Sequence, residues 1–118
     1  MPKLIALYLN PTKDLYQDVG SLVPGTVSHA KSSRLETAGK PVNAARSGAI
    51  LGAEAEVLGF CGKGELLGTR RELRSSGLVP RLFPLDGNPR ICVVLSEKSG
   101  RQTVVNSIQG LGVRTRDA

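Results

Sequence analysis

The chain has 118 residues, of which 40% are hydrophobic and 22% are charged, and such values are typical of a globular protein. No apolar run approaches the ~20 residues needed to cross a bilayer, and the start lacks the features of a signal peptide. We therefore expect a cytoplasmic protein without a membrane partner. The net charge of +6 comes from scattered basic residues without aromatic residues between them, which argues against nucleic acid and fits an anionic small molecule.

The first predicted element is a buried strand over residues 3–9, because this apolar run ends at the turn signal Asn10-Pro11. Asp14 follows in a predicted loop at the carboxyl end of the strand, which is the side of an open α/β sheet where ligands bind. A carboxylate there can accept hydrogen bonds from sugar hydroxyls. By itself the pattern favours a turn in which Asp14 bonds its own backbone.

Residues 15–22 and 26–36 are predicted to form two strands separated by a Pro-Gly turn. Both strands are too polar to be central. His29 lies within the second of them without another metal-ligand residue nearby in sequence, so we expect a surface histidine. Cys61 and Cys92 lack the paired spacing of metal ligands, and we expect them to be reduced and to pack. The sequence therefore predicts no metal site.

A glycine turn at Gly39 opens a predicted helix, because Pro41 fits a first helical position and apolar residues follow at helical spacing until Gly52. Free N–H groups at the helix start, with the ammonium of Lys40 and the amide of Asn43, suit an anionic or hydroxyl-rich ligand. Spacing alone favours an ordinary helix start with a solvated lysine and a capping amide.

Three glycines follow the second predicted core strand, 54–60, and lead into a second helix: Gly62, Gly64 and Gly68. This spacing also fits a dinucleotide-binding loop, with Asp86 at roughly the distance expected for a ribose-binding acid. Such a loop normally occupies the first strand-to-helix turn of its domain, and here it is the second. We retain nucleotide binding as an alternative.

The chain continues with a third predicted core strand over 81–85 and a hairpin formed by 90–96 and 101–106. Arg90 begins the first arm of the hairpin and Asn106 ends the second. An arginine suits a phosphate group because its planar fork pairs two oxygens at once. An exposed strand residue is the other interpretation of Arg90.

Three motifs in this order resemble those of the PfkB family of carbohydrate kinases, which have a ribokinase-like fold. The motifs are Leu9-Asn10-Pro11-Thr12-Lys13-Asp14, Ala38-Gly39 with Asn43, Gly52 and Gly62, and Gly87-Asn88-Pro89-Arg90. They are most similar to the branch of 1-phosphofructokinase and tagatose-6-phosphate kinase. The resemblance implies ATP- and magnesium-dependent phosphorylation of a sugar phosphate, such as fructose 1-phosphate or tagatose 6-phosphate.

The resemblance also implies a fold, namely the N-terminal part of a three-layer αβα core with a small β-sheet lid. Residues 1–106 are expected to form this part, with lid strands within 15–36 and 90–106, and residues 107–118 to form a divergent, unstructured tail. Lid strands in this family cover the sugar and often pair two subunits. We therefore expect a possible homo-oligomer through the lid.

The resemblance assigns the sugar-phosphate half of a kinase site to this chain. The expected substrate-binding residues are Asp14, Gly39, Lys40, Asn43, Arg90 and Asn106. ATP and Mg²⁺ are implied by the family, but no residue matches its catalytic aspartate or its nucleotide site. The chain by itself is thus expected to be catalytically silent, and a non-catalytic binding or dimerisation module is a further alternative.

Overall fold

The structure, a computed structural model, describes residues 2–108, which form two sheets and two α-helices. The strands are β1 (Lys3–Tyr8), β2 (Thr12–Gly20), β3 (Ser32–Ala38), β4 (Glu54–Gly62), β5 (Val79–Leu85), β6 (Arg90–Glu97) and β7 (Gln102–Asn106). The helices are α1 (Lys40–Ile50) and α2 (Leu66–Ser75), with a 3-10 turn at Lys63–Glu65. The core sheet has the order β1-β4-β5 and the lid sheet the order β3-β2-β6-β7.

The core sheet is parallel, as expected where helices cross between strands, and both helices pack on one of its faces. That face is the hydrophobic core, which includes Ala6, Tyr8, Val42, Ala45, Val57, Leu73 and Leu82. The opposite face is open among the described residues, since Ile5 is 50% and Leu7 57% exposed. The first strand is therefore buried on one face only. The expected fold class, an α/β core with a small β lid, is confirmed.

Gly59 allows β1 and β4 to lie close together. A Cβ atom at this position would lie 1.8 Å from the carbonyl oxygen of Tyr8, its register partner. No side chain can be accommodated there without moving a backbone. The pairing of the first two core strands thus depends on a glycine.

The lid sheet has two chemically different faces, because side chains alternate along each strand and cross-strand partners share a face. The polar face carries the register row Glu36, Asp14, Cys92 and Asn106. The apolar face carries the next row, Leu35, Leu15, Val93 and Val105.

The predicted position of Asp14 in a loop is wrong. Asp14 lies in β2, between Glu36 of β3 and Cys92 of β6 in the register. The reason is that Pro11 only interrupts the chain, and pairing resumes at once at Thr12. β2 is also an inner strand of the lid sheet despite its polar sequence, because half of its side chains face a polar surface.

The predicted strand over 26–36 is wrong in its first half. β3 begins at Ser32, opposite Asp18, and the N–H of Lys31 donates to the Asp18 carbonyl at 2.7 Å. Residues 26–31 are exposed and lie beyond this last pair, so no strand is available to pair with them. The Pro24-Gly25 turn is followed by irregular chain that leads to β3 at Ser32.

The remaining elements agree with the sequence. α1 contains Pro41 at its start and ends before Gly52, whose φ is 96°. β6 and β7 pair antiparallel, and the N–H of Ser107 donates to the Ile91 carbonyl at 2.9 Å. The predicted tail beyond residue 108 lies outside the described residues. None of the helices described in 2–108 has the length and hydropathy to cross a membrane.

Candidate functional site

A cavity of about 210 Å³ lies where the lid sheet meets the start of α1. It is lined by Tyr8, Asn10, Thr12, Gly39, Lys40, Pro41 and Arg90. The register partners Thr12 and Arg90 bring the starts of β2 and β6 to this cavity. Three of the predicted substrate-binding residues, Gly39, Lys40 and Arg90, therefore line one site.

The start of α1 lines one part of the cavity through Gly39, Lys40 and Pro41. Gly39 turns the chain from β3 into the helix with φ 117° and ψ 152°, a conformation that suits glycine. Its carbonyl accepts the N–H of Asn43 at 3.0 Å, and no side chain caps the helix. The first turn contains no acidic residue. The helix dipole and Lys40 thus give this end of the cavity a positive potential.

Arg90 also lines the cavity and is partly buried. Its Nε is buried and has no hydrogen-bond partner among the described residues. A buried donor without a partner costs free energy, and a charge-assisted bond to an anion removes that cost. The cavity is therefore suited to a group such as phosphate.

Tyr8 forms a wall of the cavity and joins β2 to β3, a role that the sequence did not reveal. Its hydroxyl accepts the Thr12 N–H at 2.9 Å and donates to the Ala38 carbonyl at 2.8 Å. Tyr8 is only 2% exposed, and this removal from water raises its pKa from 10.0 to about 12. The hydroxyl thus stays neutral and holds the two strand ends together.

Asp14 and Asn106 lie in one register row of the polar face, next to the row of Thr12 and Arg90. They do not line the cavity itself. The Asp14 carboxylate accepts the Tyr16 hydroxyl at 3.2 Å, and partial burial, together with the charge of Asp14, raises the pKa of Tyr16. Asp14 therefore lies on a strand of the lid sheet and not in a loop.

Asn43 is not brought to the cavity lining. It is exposed on α1, and its backbone N–H is used within the helix. A separate groove of about 280 Å³ lies on the lid sheet, with Tyr16 and Arg34 among its lining residues. Arg34 stacks over the Tyr16 ring at 4.5 Å and pairs with Glu36 at 2.7 Å. The guanidinium of Arg34 is therefore already engaged.

The loop with Gly62, Gly64 and Gly68, on which the nucleotide-binding alternative depends, shows no feature that indicates a bound ligand. Gly62 has a φ of −62°, and nothing lies within 4 Å of a Cβ atom built at Gly64 or Gly68. The acid Asp86 forms an exposed ion pair with Lys63 at 2.9 Å. The loop adds no support for a dinucleotide site.

The fold matches that of known kinases. Escherichia coli phosphofructokinase-2 in complex with fructose-6-phosphate superposes with a TM-score of 0.87 at 19% identity, over 99% of this chain and 39% of that one. A nucleoside kinase of Methanocaldococcus jannaschii, a member of the ribokinase family, gives a TM-score of 0.67 at 18% identity, over 91% and 37% of the two chains. This fold is that of the ribokinase-like kinases, as the sequence predicted.

Sequence comparison narrows this class. No protein-family model matches the chain. The 1-phosphofructokinase of Vibrio cholerae is 35% identical over 104 residues, which are 88% of this chain and 33% of that enzyme. The chain thus spans about a third of the length of the curated relatives it matches. It is homologous to the N-terminal portion of the PfkB-family 1-phosphofructokinases, and the resemblance stated from the motifs is confirmed.

Proposed function

We propose that this chain forms the sugar-phosphate-binding part of a PfkB-type carbohydrate kinase. The observation that carries the proposal is the cavity in which Arg90, Lys40 and the open start of α1 converge. Three sources of positive potential around about 210 Å³ suit a phosphate group attached to a small molecule. The homology to 1-phosphofructokinases supports a sugar as that molecule.

The residues divide into two groups by the part of the ligand they bind. Arg90 binds the phosphate together with the ammonium and the backbone N–H of Lys40. Asp14 and Asn106, one register row away on the polar face, accept or donate hydrogen bonds with the sugar hydroxyls. The ligand therefore extends from the cavity along the lid sheet. Asn43 is a predicted substrate-binding residue that this division leaves without a role.

We propose that phosphorylation of the bound sugar phosphate requires parts that the longer 1-phosphofructokinase chains contain and this chain does not match. ATP and Mg²⁺ are its proposed cofactors. Within residues 2–108, no group of three or more His, Cys, Asp or Glu side chains is placed to hold a metal ion. We propose that the chain by itself binds sugar phosphate without turnover.

Calorimetric titration tests the proposal. Fructose 1-phosphate, fructose 6-phosphate and tagatose 6-phosphate are compared with fructose and with NAD⁺. We expect at least one sugar phosphate to bind, inorganic phosphate to compete, and fructose and NAD⁺ to bind far more weakly. Binding of NAD⁺ without binding of any sugar phosphate contradicts the proposal and favours the nucleotide alternative.

A coupled assay for ADP tests the second part of the proposal. With ATP, magnesium and each sugar phosphate, the 118-residue chain should release no ADP above the background of a mock preparation. The physical reason is that the sequence has no counterpart of the family's base, and phosphoryl transfer depends on positioning and charge stabilisation. Turnover that survives repeated purification contradicts this silence.

We also propose that two copies pair through the apolar face of the lid. E. coli phosphofructokinase-2 is known in a tetrameric inhibited form, and this chain superposes on it with a TM-score of 0.86 at 19% identity, over 99% and 38% of the two chains. Leu35 and Val105 on the apolar face are each 59% exposed. Burying this row stabilises association because it removes apolar area from water.

A further inference from the structure

An ionic cluster lies at the joint between the lid sheet and the helices, outside the candidate site. It consists of Lys13 of β2, Arg46 of α1 and Glu72 of α2, whose side chains are 13%, 25% and 30% exposed. The Glu72 carboxylate lies 3.8 Å from the Lys13 ammonium and 3.6 Å from the Arg46 guanidinium. Partly buried charges need hydrogen bonds to offset their desolvation, and here these bonds converge on one residue.

The hydrogen bonds of this cluster converge on Thr37, which is fully buried near the end of the edge strand β3. Its N–H donates to one carboxylate oxygen of Glu72 at 2.8 Å, and its hydroxyl donates to the other. Arg46 donates to its carbonyl at 3.0 Å. Lys13 donates to its hydroxyl oxygen at 2.6 Å and to Thr69 at 3.0 Å. Both backbone groups that an edge strand would otherwise leave unpaired are thus held by helix side chains.

Thr37 lies two residues before Gly39, which lines the cavity. The next carbonyl, of Ala38, accepts the Tyr8 hydroxyl at 2.8 Å, and the following carbonyl, of Gly39, accepts the Asn43 N–H at 3.0 Å. Three consecutive residues are therefore fixed by α2, α1 and β1. The position of the helix start relative to Arg90 follows from these bonds.

We propose that Glu72 and Arg46 are positioning residues that clamp Thr37 and thereby set the backbone of Gly39 and Lys40 at the cavity. The identity of the ligand rests on the proposed function. The clamp acts through Thr37, since neither Glu72 nor Arg46 lines the cavity. Its loss lets the turn shift, and a ligand that needs both Lys40 and Arg90 then binds more weakly.

Two substitutions of Glu72 in the full chain test this. Glu72→Ala removes both acceptors, whereas Glu72→Gln keeps an acceptor for the Thr37 N–H. We expect Glu72→Ala to weaken fructose 1-phosphate binding by about tenfold and Glu72→Gln to recover part of the loss. Glu54→Ala, at an exposed glutamate of β4, is the matched control and should bind like the parent.

Amide hydrogen exchange separates positioning from a general loss of stability. In Glu72→Ala the Thr37 amide should exchange roughly tenfold faster or more, while the amides of Val57 and Leu82 in the core sheet keep their parent rates. Parent-like protection of Thr37 overturns the clamp, and so does weaker binding with Thr37 still protected. Equal acceleration at all three amides also overturns it, because the effect is then global.

A second variant covers the case in which Glu72→Ala does not fold. Arg46→Met removes the bond to the Thr37 carbonyl and leaves Glu72 beside Lys13, so a loss of about threefold in affinity is expected, again with faster exchange at Thr37. Unchanged affinity and exchange in this variant overturn the role of Arg46. A parent chain that binds no sugar phosphate contradicts the proposed function instead, and the exchange of Thr37 then decides the clamp alone.

Discussion

The two faces of the lid sheet are built by the same strands but present different chemistry. The polar face carries Asp14 and Asn106, whereas the apolar face exposes Leu35 and Val105. The side chains of successive residues in a strand point to opposite faces, so one stretch of sequence serves both. A strand of mixed polar and apolar sequence can therefore be an inner strand of a sheet, as β2 is, because its two kinds of side chain lie on different faces.

Placing a charge on the apolar face is the strongest way to break this comparison. Leu35→Glu should weaken self-association by on the order of 3 kcal/mol, more than a hundredfold, because a symmetric interface would bury the carboxylate twice without a partner. Analytical ultracentrifugation measures it. Ser32→Glu, on the polar face, should associate like the parent. A parent chain that stays monomeric at high concentration contradicts the pairing of copies.

High pH should lower the free energy of unfolding by ionising Tyr8, whose hydroxyl joins β1 of the core sheet to β2 and β3 of the lid sheet. Burial raises its pKa from 10.0 to about 12, so its stabilising effect is complete below pH 10 and is lost as pH rises toward 12. The loss corresponds to about 2.7 kcal/mol. Urea unfolding between pH 8 and 12 measures it. Tyr8→Phe should lose this part of the pH dependence and Tyr16→Phe should keep it; identical profiles for all three proteins contradict the assignment.

Removing the arginine of the cavity should cost less, about 2 kcal/mol or thirtyfold in sugar-phosphate affinity. Arg90→Ala removes charge-assisted bonds to the phosphate, so competition by inorganic phosphate should weaken too. Calorimetry measures both effects. Arg101→Ala, at an exposed arginine paired with Glu97, is the control. Equal affinities in the parent and in Arg90→Ala would show that Arg90 does not bind the ligand.

Asp14→Asn should have the smallest effect, about 1.4 kcal/mol or tenfold, because an amide still forms some of the bonds to the sugar hydroxyls. Inorganic phosphate should compete as well against this variant as against the parent. Competition titration measures this difference from Arg90→Ala. Loss of phosphate competition in Asp14→Asn would contradict the division of the site into a phosphate end and a hydroxyl end.

Local signals in the sequence were sufficient for some elements. Pro41 and Gly52 mark the start and end of α1 through their own backbone preferences, and the structure agrees. Gly39, Lys40 and Arg90 could be assigned to one site because the motifs of the resemblance supplied contacts between distant parts of the chain. The cavity that these residues line is consistent with that assignment.

Long-range pairing explains what the sequence did not predict. Asp14 was placed in a loop because Asn10-Pro11 is a turn signal, and nothing local indicates that β3 and β6 pair with the chain just after it. The bonds between Thr37 and Glu72 depend on where α2 packs. The alternation of β2, with Lys13 and Asp14 on opposite faces, was the one signal that could have suggested two roles.

The parallel pairing of β2 with β6 has a consequence for the order of folding. Thr12 of β2 pairs with Arg90 of β6, so β4, α2 and β5 are all synthesised after β2 and before β6. Closing so long a segment costs chain entropy, which nearby contacts of the core offset first. On a growing polypeptide, β2 must therefore wait for β6. We expect the cavity to be assembled last, because Thr12 and Arg90 can line it together only after β2 and β6 have paired.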